Sequence, residues 1–100
     1  YLVLVKNDVL FRTTRGGGRF LTPYTDVLDD AGEAVALVDR AGATVDRVVF
    51  SALAPWPTTA AGTGPSLELI DVASDHLAPA SWAPSLMAGG TPGARNSVTP

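Results

Sequence analysis

No window of a dozen residues in this chain carries apolar side chains at helical spacing between recognisable caps, and that excludes a helical bundle before anything else is weighed. The chain offers short runs rich in Val, Leu, Ile and Phe, punctuated by ten glycines and eight prolines. Proline lacks a backbone donor and glycine weakens a strand interior, so both residues divide a chain into segments of strand length. The pattern predicts an all-β fold.

Residues 2–6 read as a first strand, apolar on both faces and therefore central in a sheet or between layers. Residues 7–11 read as a turn or a single helical turn. Residues 12–22 form a loop with three arginines around Gly16, Gly17 and Gly18, its ends pinned by Phe11 and Phe20. The turn chemistry of Asp29, Asp30, Ala31 and Gly32 leads into a strand over 33–39, and Asp39, Arg40, Ala41 and Gly42 reverse the chain. Residues 44–50, with Val45, Val48, Val49 and Phe50, complete a hairpin. Pro55 and Pro57 prevent a central strand around Trp56. A fourth strand spans 66–71, with Leu67 and Leu69 on one face and Ile70 on the other. From Val72 onward the prolines and glycines predict an irregular wrap pinned by Trp82 and Leu86, and the end of the chain reads as linker.

The 100 residues suit about one domain, assigned here to 1–97 with a linker starting at 98–100. The first residue is Tyr1, opening straight into an apolar run, which reads as the interior of a longer chain. No apolar run approaches the ~20 residues needed to cross a bilayer, so no membrane insertion is expected. The absence of cysteine excludes disulfides, thiolate metal sites and a cysteine nucleophile. A formal charge of −3 opposes strong attraction to nucleic acid or to an anionic membrane.

Four clusters bear on chemistry. Ser74, Asp75 and His76 supply the residue types of a hydrolytic triad, but sequence neighbours do not converge on one reacting atom, and the better reading is a polar loop. Asp26, Asp29, Asp30 and Glu33 offer the oxygens calcium requires, yet their spacing departs from a calcium loop and suits a solvated turn. The glycines at 16–18, and Gly62 with Gly64, lack the Gly-Lys-Ser/Thr that follows in a phosphate loop and read as bends. Arg12, Arg15 and Arg19 could make weak phosphate contacts from a mobile loop. Of the tryptophans, Trp82 reads as a buried plug, and Trp56, boxed by prolines, as an exposed ridge suited to binding a partner protein. No catalytic, cofactor or metal site emerges.

The order of landmarks carries a resemblance: YLVLVKN at 1–7, LDDAGEAVALV at 28–38, GATVDRVVF at 42–50, PWP at 55–57, GTGPSLELID at 62–71, SW at 81–82 and GGTPGARNS at 89–97. Together they resemble the bacterial lamin tail domain. The resemblance implies an immunoglobulin-like β-sandwich, here lacking its first strands, because the segments that precede these blocks in the family have no match. It also implies a non-catalytic binding or positioning module of a larger protein, extracellular or on the cell surface, with partners among that protein's other domains or surface proteins. The alternative it carries is an accessory domain that helps a neighbouring nuclease engage nucleic acid through the arginines.

Overall fold

A computed structural model describes residues 1–15, 19–21, 24 and 26–100. The described chain is mostly strand and loop with little helix, in keeping with the all-β expectation. It divides into two compact units, Tyr1–Val27 with Pro92–Arg95, and Leu28–Thr91 with Asn96–Pro100.

In the first unit, β1 (Val3–Leu4) pairs in parallel with β2 (Phe20–Leu21), and α1 (Asp8–Arg15) lies between them in sequence. Parallel neighbours require such a crossover. The helix starts at Asn7, whose side-chain oxygen accepts from the Leu10 amide at 2.9 Å while its carbonyl accepts from Phe11. Thr13 and Thr14 turn their hydroxyls back onto the Val9 and Leu10 carbonyls, and Arg12 and Arg15 occupy the last turn, where the helix dipole favours cations. Two expectations are corrected here. The segment after Asn7 is a two-turn helix, and it takes Arg12 and Arg15 out of the expected loop; Arg19 follows it in a bend, and Gly16–18 lie outside the described residues. The first strand is two residues long and sits in a two-stranded sheet, with Leu2 and Leu4 exposed and Val5 alone buried, so it is not a central strand.

The second unit contains two antiparallel pairs. β3 (Ala34–Val38) and β4 (Thr44–Val49) form the expected hairpin, with Val35 opposite Val48 and Leu37 opposite Asp46. Its turn is built by Asp39, whose carboxylate accepts from the Ala41 and Ala43 amides, each at 2.9 Å, while Gly42 takes a positive φ of 86°. β5 (Pro65–Leu69) pairs with β6 (Trp82–Ala88), placing Glu68 opposite Ala83 and Leu69 opposite Trp82. The link between them is organised by Asp71 and Asp75, which accept from the Ala73 and Leu77 amides, and by a 3₁₀ turn at Pro79–Ser81.

Strand β6 corrects the expected irregular wrap. Pro84 argued against a strand, but a two-stranded sheet consists entirely of edges, where a residue without a donor is tolerated. Leu86 is 80% exposed, so its side chain is not the expected pin. The tryptophan roles are reversed as well. Trp56 is buried at 8% exposure, which removes the exposed partner-binding ridge, and Trp82 is only half-buried beside it, ring centroids 6.3 Å apart. A proline-flanked indole is still some of the largest apolar area a small core can recruit, and burial wins.

Candidate functional site

Three places in the second unit gather polar side chains or form a concave surface. The first centres on Glu68, which alternation places on the opposite face of β5 from Leu67 and Leu69 and which is 4% exposed. Its Oε1 accepts from the Thr91 hydroxyl at 2.6 Å, and its Oε2 accepts from both the amide and the hydroxyl of Ser97 at 2.7 Å. The Ser97 hydroxyl in turn accepts from the Leu86 amide at 2.8 Å, so a chain of donors runs from β6 through Ser97 to the carboxylate. Asn96 adds a bond from Nδ2 to the Leu69 carbonyl at 3.0 Å. Gly90 permits the approach: it takes φ 75°, and a Cβ there would run into the Ser66 side chain.

Burial pushes the Glu68 carboxyl upward and is the largest single influence. The hydrogen bonds from Thr91, Ser97 and the Val98 backbone together outweigh it and hold the group below the ordinary glutamate range. Residues 96–99 are half-buried, and Ser97, immediately before the expected linker at 98–100, is the fastening point of the chain's end.

The second place is a clasp. His76 directs Nδ1 at the Asp46 carboxylate of β4, 2.7 Å away, and Nε2 at the Val72 carbonyl, 3.0 Å away. Both partners are acceptors, and only the imidazolium donates from both nitrogens. The Asp46 bond, followed by the Val72 bond, therefore raises the His76 pKa, and the His76 bond lowers that of Asp46. Trp82 donates from Nε1 to the His76 carbonyl at 2.9 Å and meets the imidazole edge to face. The clasp connects β4 to the segment joining β5 and β6.

The linkage has a definite sign. A raised histidine pKa gives stabilisation that is complete below the ordinary histidine value and lost as pH rises through the folded one; a lowered aspartate pKa gives stabilisation lost as pH falls through its own folded value. The difference in melting temperature between the parent chain and His76→Ala should be widest just below the ordinary histidine value of about 6.5 and shrink as pH rises through the raised one. A difference that does not change with pH would mean that the imidazole contributes only its contact with Trp82.

The third place is a cleft of about 360 Å³ in which Leu28, Phe50, Pro57 and Leu67 meet Asp29 and Asp30.

Ser74, Asp75 and His76 are not brought together: the Ser74 hydroxyl donates to Asp71, Asp75 accepts from Leu77, and His76 faces Asp46. Within the acidic cluster, Asp29 accepts from Ala31 and Glu33 from the Asp29 amide, while Asp26 belongs to the first unit. Among the described residues no group of three or more His, Asp or Glu side chains is placed to hold a metal ion. Gly62 and Gly64 take positive φ in a bend, as expected. Sequence reasoning missed Glu68, Thr91 and Ser97, and it missed Asp46 as the partner of His76. The available signal was a lone carboxylate inside an otherwise uncharged strand. No protein-family model, curated protein or solved structure matches the chain.

Proposed function

We propose that this chain is a non-catalytic binding or positioning module of a larger secreted or cell-surface bacterial protein, an immunoglobulin-like sandwich of lamin tail type that lacks the family's first strands. The observation that carries the reading is the saturation of Glu68. A buried carboxylate available for acid or base chemistry needs an oxygen open to substrate, whereas this one is enclosed by donors from Thr91, Ser97 and Val98. The His76 clasp is likewise occupied at both nitrogens. The sequence block that contributes Gly90, Thr91 and Ser97 is one of the most specific landmarks of the resemblance, and here it fastens the end of the chain. Apolar side chains on both faces of the β3–β4 hairpin are open, with Leu37 and Val45 each 63% exposed, as suits a sheet that a second layer covers.

Partners on this reading are other domains of the same protein or surface proteins. Duplex DNA should bind no better than the non-specific range, about 10⁻⁴ M at physiological salt. Fluorescence anisotropy with a short duplex tests this. Micromolar affinity that collapses when Arg12, Arg15 and Arg19 become alanine would overturn the proposal in favour of an accessory to a nuclease.

A further inference from the structure

We infer that the cleft beside the 29–32 turn is a docking site for a basic side chain, arginine or lysine, carried on an exposed segment of a partner protein. The inference rests on the reading of the chain as a binding module and names the partner's chemistry.

The cleft's volume, about 360 Å³, lies at the small end of ligand pockets, enough for one or two side chains and too small for a large cofactor. Its half-buried wall is apolar, made by Phe50, Pro57, Ala60 and Leu67, and among the described residues no Lys or Arg lines it. Asp29 and Asp30, both exposed, are the charged residues among the described ones that line it. An apolar channel with carboxylates toward solvent complements a side chain with an aliphatic stem and a cationic head, which buries the stem and leaves the head at the water boundary. A neutral apolar side chain would fill the wall and leave the carboxylates unanswered, and an acidic one would be repelled by them. The chain's net charge of −3 acts in the same direction at longer range.

The turn and the Asp29 carboxylate are held in advance. The Asp29 side chain accepts from the Ala31 amide at 2.8 Å, the Asp29 amide donates to Glu33 at 2.7 Å, and Ala52 donates to the Ala31 carbonyl at 3.1 Å. Gly32, at φ 123°, lies so close to Phe50 that a Cβ would run into the Phe50 carbonyl. These bonds fix the turn against the residues that follow β4, so little conformational freedom is lost on binding. Asp30 has no partner among the described residues, and its carboxylate is open to one.

The test uses the 100-residue chain and three capped tripeptides, Ala-Arg-Ala, Ala-norleucine-Ala and Ala-Glu-Ala, followed by amide shifts in heteronuclear NMR spectra. The arginine peptide should move the amides of Asp30, Ser51 and Ala61 with millimolar affinity. Norleucine matches the stem without the charge and should bind about five-fold more weakly, as expected for one or two exposed ion pairs. Asp29→Asn with Asp30→Asn keeps the oxygen that holds the turn and should give the same loss. Ala61→Phe fills the cleft and should abolish the shifts, with the spectrum elsewhere confirming the fold. Arginine and norleucine peptides of equal affinity, a Glu peptide that binds as well, or no movement of those three amides at saturating peptide would each overturn the inference. The binding-module reading would survive such a result and stands or falls on the domain-deletion experiment below.

Discussion

Glu68→Ala should lower the unfolding free energy by about 3 kcal/mol or more in urea titration, with little change in slope. Hydrogen bonds to a charged group contribute about 1.5–3 kcal/mol each. The substitution leaves the Thr91 hydroxyl and the Ser97 amide facing an apolar gap while releasing the end of the chain. A total stability of about 5–15 kcal/mol makes this a large fraction. Glu68→Gln keeps the shape and one acceptor and should cost less. Because the folded carboxyl sits below its ordinary range, the stabilisation is present above the unfolded glutamate value and lost as pH falls through the folded one, so parent and alanine variant should converge in acid. Ser97→Ala should be strongly non-additive with Glu68→Ala, since the two remove members of one network. A loss below about 0.5 kcal/mol, the scale of an ordinary surface substitution, would show that the carboxylate does not fasten the chain.

Trp56→Ala should cost about 3–5 kcal/mol, and more than Trp82→Ala, because a deleted indole leaves a cavity that its neighbours refill only in part. Trp56 is 8% exposed whereas Trp82 is half-buried, so the order of the two effects follows from the packing. Trp82→Ala has a second signature, loss of the bond to the His76 carbonyl, and should weaken the pH dependence of the clasp. Denaturant melts of both variants decide the order. A larger loss at Trp82 would restore the reading of that residue as the principal plug.

The β3–β4 hairpin was legible because its information is local: Asp39 and Gly42 make the turn, and β-branched residues fill the strands. The helix at Asp8–Arg15 was not, since three consecutive apolar residues and two threonines make no stripe, and only the Asn7 cap announces it. Pro84 concealed β6 because proline is forbidden in a central strand but not at an edge. The polar sites were hidden for a different reason. Glu68 meets Thr91 and Ser97 across 23 and 29 residues, and His76 meets Asp46 across 30, so both pairings are products of topology rather than of neighbouring residues. The expected exposure of Trp56 failed because its flanking prolines report backbone conformation and say nothing about where the indole points.

The proposed function is attachment or positioning rather than a reaction. On the proposed reading of a larger surface protein, deleting residues 1–100 from it, and following both its retention at the cell surface and the turnover number of any catalytic neighbour, separates the two roles. The account predicts that retention is lost while the turnover number is unchanged. Retention that survives the deletion, with turnover abolished, would contradict it.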